Sequence, residues 1–242
     1  MLKRPILIAA GLVAALLLVG AGGAYVYFFS GLRTAPKPLA LSDSASATAS
    51  PDASATAGGL TGSWTVSQGS LAGYRVRERF ANQASTHDAV ARTSSVSGGL
   101  TVQQGSSGLQ AIALKFTAQL ANLRSVDQVA GLDVSRRDSI VSRTLSVSQY
   151  PTATFQAESV DLPASVASGG TATLTIPGRL TIHGVTRPVQ VTVQLKVAGS
   201  QVQAVGSTSF KMTDFGVSPP QVPVTTVQPQ VTLEFQLDLV RA

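Results

Sequence analysis

Val189-Gln-Val-Thr-Val-Gln-Leu-Lys-Val197 decides the fold. Val189, Val191, Val193, Leu195 and Val197 alternate with Gln190, Thr192, Gln194 and Lys196. A period of two gives a strand with one dry face and one wet face. The same alternation returns where Val231, Leu233, Phe235, Leu237 and Leu239 are interleaved with Thr232, Glu234, Gln236 and Asp238. A third run places Ile112, Leu114, Phe116, Ala118 and Leu120 against Lys115, Thr117 and Gln119. Weaker alternation covers Tyr74–Phe80, Val96–Gln103, Ala153–Val160, Ala172–Ile182 and Val202–Met212. Residues 188–198 and 201–211 meet across Gly199 and Ser200, a two-residue hairpin signal.

These segments make about eight strands, and most gaps between them are too short for the crossover helix that parallel pairing needs. Only 122–149 has room for helix. Ser125 to Gln128 reads as a capping box. Asp133 to Leu145 reads as a short helix with Val134, Val141 and Leu145 on one side, and Pro151 returns the chain to strand. Long antiparallel strands with one apolar face must close on themselves or pair with a second sheet. The pattern therefore predicts an all-β domain, either a barrel or a sandwich. A barrel of about eight strands has room for one small ligand in its lumen.

Upstream of this domain the composition changes twice. Residues 5–29 carry no charge, and a helix of that length at about 1.5 Å per residue crosses a hydrocarbon core of roughly 30 Å. Lys3 and Arg4 precede the run, and Tyr25, Tyr27, Phe28 and Phe29 close it. Positive charge before the span and aromatic rings after it predict a cytoplasmic N-terminus and an extracytoplasmic domain. The other reading of the run is a cleaved signal peptide, whose apolar region is shorter, about 7–15 residues. Gly22, Gly23 and Ala24 would offer it a cleavage site. Ser42 to Ala57 contains only Ser, Ala, Thr, Asp and Pro, with almost nothing to bury against its ordering entropy. The expected layout is a cytoplasmic stub 1–4, a single-pass cell-membrane anchor 5–29, a disordered linker 30–61 and a folded domain 62–242.

The net charge is +6, but the basic residues are scattered rather than clustered as nucleic-acid binding requires. A mildly basic surface near anionic lipid is the better reading. Cysteine is absent, so there is no disulfide framework, thiolate metal site or lipidated cysteine.

Ordered motifs carry a family resemblance. Gly178-Arg-Leu-Thr-Ile-His-Gly-Val-Thr-Arg-Pro-Val189 is similar to the strand–turn–strand signature of the YceI-like family. Trp64, Arg137-Asp138, Tyr150-Pro151 with Phe155, Asp214-Phe215-Gly216-Val217 and a final apolar strand follow in the family's order. Arg77-Glu78, then Ala89-Val-Ala-Arg-Thr93 and Val96-Ser-Gly98, resemble a subgroup with a longer first hairpin. Met212 stands near the position where the family usually has Arg, and Glu78 and Arg79 where it often has His. The resemblance implies a lipocalin-like antiparallel β-barrel of about eight strands with a short helical excursion, here preceded by one transmembrane helix. It also implies binding of an isoprenoid quinone, a polyprenyl lipid or another amphiphile.

Candidate lumen residues on the apolar strand faces are Tyr74, Val76, Glu78, Phe80, Phe116, Phe155, Phe210 and Phe235. Glu78 shares a face with Tyr74, Val76 and Phe80, so an inward strand carries a carboxylate that needs a partner. Arg92 on the neighbouring strand is the candidate. The alternative places Glu78 at the barrel mouth or on the wet face with Arg75, Arg77 and Arg79. His183 and Gly184 read as a structural turn, His87 as a loop residue, and Arg137-Asp138 as a helix-surface ion pair or a cap on the barrel end. No metal spacing, catalytic constellation, phosphate loop or cofactor motif stands out. The sequence therefore predicts a membrane-tethered carrier of a long-chain lipid. A protein-interaction module with a filled barrel is second. An enzyme using Glu78 or His183 as acid or base is third.

Overall fold

The structure is a computed structural model that describes residues 18–20, 22–23, 33–42, 59–81, 86–129, 133–167, 170–198, 200–223 and 225–242. In chain order the first strands are β1 (Arg33–Thr34), β2 (Gly62–Val66), β3 (Leu71–Phe80), β4 (His87–Thr93), β5 (Val96–Gln104) and β6 (Leu109–Gln119). A 3-10 turn (Leu120–Asn122) leads to β7 (Arg124–Ser125), β8 (Gln128–Val129) and helix α1 (Ser135–Thr144). Then come β9 (Thr152–Asp161), α2 (Ala164–Ala167), β10 (Thr171–Ile182), β11 (Val185–Ala198) and β12 (Gln201–Lys211). A second 3-10 turn (Met212–Phe215), β13 (Gln221–Val222) and β14 (Thr225–Arg241) finish the chain.

Eight strands close into an antiparallel barrel in the order β12-β11-β10-β9-β6-β5-β2-β14, with β14 pairing back to β12. The closing ladder runs from Gln201↔Val240 to Lys211↔Gln230. On its other edge β14 pairs first with β2 and then with β3. β2 and β3 thus act as one long strand broken at Ser67–Ser70. Ser70 repairs the break: its hydroxyl donates to Ser67 O and accepts from Asp238 N. β4 and β5 form the matching return strand, paired to β3 and β2 respectively.

The β5–β6 turn, α2 and the C-terminal end of β14 mark one end of the barrel. That end is packed by Trp64, Leu114, Val191, Val193, Leu237 and Leu239. The other end carries α1 and the Met212–Phe215 turn, with Leu180, Ile182, Phe215 and Val217 buried beneath them. Asp133 prepares α1: its Oδ1 accepts from Ser135 N and Oγ at 3.1 and 2.6 Å.

The structure departs from the sequence pattern in several places. Ala113 takes a left-handed φ of 53°, which inserts a bulge into β6 opposite Gly99–Thr101. The extra residue shifts the alternation, so Ala111 rather than Ile112 is buried with Leu114. Leu120 lies in a turn rather than a strand. Ser125–Gln128 opens no helix. It is extended, and Ser125 N and Oγ both donate to Asp138 Oδ1. His87 begins strand β4 and is buried instead of lying in a loop. β11 and β12 pair up to Ala198↔Gln201, while Gly199 lies outside the described residues.

The expected membrane segment 5–29 falls almost entirely outside the described residues. Among those described, no helix is long and apolar enough to cross a membrane. The same is true of most of the expected linker, 30–61. Its residues 33–42, however, lie against the barrel. Arg33 and Thr34 pair with Val129 and Gln128, and Ser42 N donates to Gln203 Oε1.

Close approaches inside the barrel explain two glycines. Gly206 pairs with Phe235, and a Cβ there would meet the ring at 2.5 Å and Thr192 O at 2.7 Å. At Gly178 a Cβ would meet the Phe155 ring at 2.4 Å. Both aromatic rings lie over a neighbour that has no side chain. Gly206→Ala is expected to overpack this contact and cost about 1–3 kcal/mol. Urea unfolding will show it as a lower midpoint at unchanged slope.

Candidate functional site

Below α1 the barrel interior is open. A chamber of about 460 Å³ is bounded by β3, the ends of β12 and β14, the Met212–Phe215 turn and α1. A second cavity of about 130 Å³ lies deeper. Ala72, Ala118, Ala153 and Leu233 line both, which makes them the boundary between the two. The structure places Tyr74, Val76, Glu78, Phe80 and Phe210 on the outer chamber, and Phe116, Phe155 and Phe235 on the inner one. Sequence reasoning missed the contribution of the helix: Val134, Ile140, Val141 and Leu145 form the chamber's lid-side wall. The apolar side of residues 133–145 was the available signal, but nothing in it said which surface it would cover.

Apart from the exposed Asp133 and Arg136, one buried polar cluster interrupts this apolar lining. Glu78 is 4% exposed, and its partner is Arg137 rather than Arg92, with Nη2 to Oε1 at 2.5 Å. Arg137 Nη1 donates to Asp127 Oδ1 at 2.6 Å. Asp127 Oδ2 lies 2.7 Å from His87 Nε2, and Val90 N donates to Asp127 Oδ1. An ionised carboxylate only accepts, so His87 carries its proton on Nε2. Asp138, next to Arg137, fastens the first turn of α1 to Ser125. Arg137 and Asp138 thus pin the helix across the barrel end, one to β3 and one to β7. Arg92 instead bonds Glu234 through Nε and Nη2 at 3.0 and 2.8 Å.

Burial governs the ionisation of this cluster. Desolvation pushes the Glu78 carboxyl above its ordinary value, against the pull of the Arg137 charge. Desolvation also acts on Asp127, but hydrogen bonds from His87 and Arg137 outweigh it and hold this carboxyl low. Arg137 loses hydration too, yet Asp127 and Glu78 keep it charged. Burial raises the Tyr74 phenol above its usual range.

Glu78, His87 and Asp127 offer ligand atoms within 4.8 Å of one another. The Arg137 guanidinium already binds both carboxylates, so a metal ion would have to displace a buried cation. His183 has a φ of 52° and Gly184 of 73°, which makes a two-residue turn of the primed type. The His183 ring stands edge-on to Tyr150 at 5.0 Å between centroids, and its Nδ1 is 3.4 Å from Phe215 O. These contacts fix the turn against the 3-10 segment. What the site can do chemically is enclose an apolar chain and offer one polar spot beside Glu78 and Arg137.

Arg137→Ala leaves two buried carboxylates without their cation and is expected to cost about 3–5 kcal/mol in denaturant unfolding. The pH dependence is separable. A native Glu78 that holds its proton above the ordinary pKa of 4.5 makes stability fall as pH rises from that value through the raised one. Asp127 acts oppositely, and its contribution is lost as pH falls below 3.8. As pH rises above 4.5 the wild type should therefore lose stability relative to Glu78→Gln. Parallel midpoint curves for the two proteins would contradict the shift.

Comparison with known proteins gives the fold its relatives. A polyisoprenoid binding domain from Saccharophagus degradans, implicated in plant cell wall breakdown, is 16% identical with a TM-score of 0.53. The match covers 74% of this chain and 98% of that one. BcnA of Burkholderia cenocepacia is 19% identical, with 69% and 95% coverage and a TM-score of 0.46. The YceI protein of Campylobacter jejuni is 14% identical, with 61% and 83% coverage and a TM-score of 0.42. No curated protein sequence matches the chain. The sequence pattern of the YceI-like domain matches residues 64–239, nearly the whole barrel. The chain belongs to the YceI-like domain family.

Proposed function

We propose that this protein is a membrane-tethered, extracytoplasmic carrier that holds the tail of a long-chain isoprenoid or similar amphiphilic lipid inside its barrel. The carrying observation is a pair of adjacent cavities, about 460 Å³ and about 130 Å³, lined mainly by apolar side chains and meeting at Ala72, Ala118, Ala153 and Leu233, a boundary we read as a neck. A side-chain-filled barrel would suit a protein-interaction module better, and this interior is not filled. An apolar tail gains roughly 0.8 kcal/mol for each methylene it buries, so length alone supplies affinity. The polar spot at Glu78 and Arg137 lies in the outer chamber, where a quinone or polyprenyl head would stop. The family is one of binding proteins, and the described residues place no nucleophile and base together at the chamber. Binding without turnover is the resulting reading. The uncharged run 5–29 supplies the tether.

Native mass spectrometry of the full chain purified from membranes in mild detergent is expected to show a bound long-chain lipid. A protein that emerges empty, and takes up no isoprenoid quinone on titration, would defeat the proposal. The neck gives a sharper measurement. Ala118 pairs with Ala153 across β6 and β9, and Ala153→Phe would close the passage to the inner cavity. Excluding even two methylenes removes about 1.6 kcal/mol, roughly a tenfold loss. Long-tailed quinones should weaken by at least that factor in Ala153→Phe, while short-tailed ones bind as before.

A further inference from the structure

The segment 33–42 crosses the outside of the barrel as a strap, and its direction has a functional meaning. We infer that this strap holds the mouth of the chamber toward the bilayer, so that the rim around α1 is the membrane-facing surface. The inference rests on the proposed tether.

Val126 N donates to Val90 O, and Arg124 pairs with Arg92, so residues 124–129 climb along β4 toward its His87 end. At that level β3 finishes at Phe80, which lines the chamber. β1 joins the molecule there, with Arg33 opposite Val129. From this point the strap descends. Pro36 O accepts from Arg75, and Lys37 O accepts from Arg92. Ser42 bonds Gln203 through its N–H and Lys196 through its carbonyl, near the β11–β12 turn at the far end. The strap is therefore fastened at its top, middle and bottom, and the end nearest the apolar run is the one at the mouth.

Chain length then sets the distance. The expected span ends at Phe29, and among the described residues Arg33 is the first that is paired. Four residue steps reach at most about 14 Å. A free linker over 30–61 would instead allow a typical separation of about 30 Å in any orientation. The strap replaces that freedom with a short lead and a fixed direction. The barrel's height separates its two ends: β12, Gln201–Lys211, rises about 25–30 Å along the axis at ordinary strand tilt. Exposed Arg79 and Arg136 stand at the mouth end, suited to anionic headgroups. A lipid tail entering there would leave the bilayer and meet the outer chamber without crossing the barrel's length.

The natural absence of cysteine makes the test direct. The full chain carrying Arg136→Cys at the rim, or Ser106→Cys in the far β5–β6 turn, is labelled with one fluorophore. It is then reconstituted into vesicles of phosphatidylcholine and phosphatidylglycerol containing a nitroxide-headgroup lipid. Quenching at position 136 should exceed that at 106 by several fold. A flexible insertion of about twenty Gly and Ser residues between Phe29 and Arg33 should abolish the difference, because it frees the lead to roughly 25 Å more reach. Equal quenching at the two positions, or a difference that survives the insertion, overturns the inference. Extraction of the protein by alkaline carbonate would sink the tether itself. A protein that stays in the membrane with lipid in its barrel, yet shows equal quenching, sinks the orientation alone.

Discussion

The pairing of β14 with β12 is the constraint on which everything else depends. β14, seventeen residues long, pairs with β12 along one edge and with β2 and β3 along the other, and so the sheet has no free edge at its seam. Closure turns the apolar faces of eight strands toward one another, and the space they enclose must be filled or left as a cavity. At the far end it is filled by Trp64 and the aliphatic side chains around it. Toward α1 the inward residues include Ala72, Ala118, Ala153 and Gly206, too small to meet across the lumen. Phenylalanines lie over the glycines instead of reaching the centre. The chamber follows from that distribution of sizes.

Closing a strand barrel leaves its mouth to be dealt with, and here a helix does so through charge. Taking Glu78, Asp127 and Arg137 out of water costs more than a hydrophobic contact of the same size would. What the ions add is direction. Arg137 reaches β3 through Glu78 and the β7–β8 segment through Asp127, so α1 has one satisfied position over the mouth. Asp138 repeats the fastening at Ser125. A purely greasy lid would slide, and it would offer a bound amphiphile nothing but apolar wall.

The legible part of this protein was its periodicity. Runs such as Val189–Val197 and Val231–Leu239 report their faces residue by residue, because a strand's side chains alternate whatever the partner. That logic also placed Glu78 with Tyr74 and Phe80. It failed where local backbone geometry intervened. Ala113 looks like any residue of an alternating run, yet its left-handed turn reverses the faces beyond it. It failed again for contacts between distant segments. Nothing near Glu78 announces that its counter-ion lies fifty-nine residues on, and Arg92 was the nearer choice only in register. Asp127 fell inside a stretch that reads as a helix cap and His87 reads as a loop residue, because a lone Asp and a lone His have many bland explanations. Their meaning exists only once β4 and the 124–129 segment lie side by side.

Glu234 shows the same limit from the other direction and bears on the strap. By alternation it belongs to the wet face of β14, opposite Leu233 and Phe235, and yet it is 3% exposed. Gly73 on β3 leaves the room for this, since a Cβ there would meet Arg92 Cγ at 2.9 Å. Arg92 therefore lies across β3 to reach Glu234, with Arg75 at 3.5 Å on the other oxygen. The Nη2 groups that face Glu234 also donate to the strap, Arg75 to Pro36 O and Arg92 to Lys37 O, while Arg75 Nη1 turns to Asp88. A buried ion cluster of this kind costs less as more of its donors are satisfied, and the strap supplies two of the acceptors. Residues 33–42 are thus part of the folded unit by the same electrostatics that bury Glu234. The stretch 43–58 then joins two segments that are both held by the barrel. Its length, the most conspicuous feature of the linker in the sequence, therefore adds nothing to the four residue steps between Phe29 and Arg33.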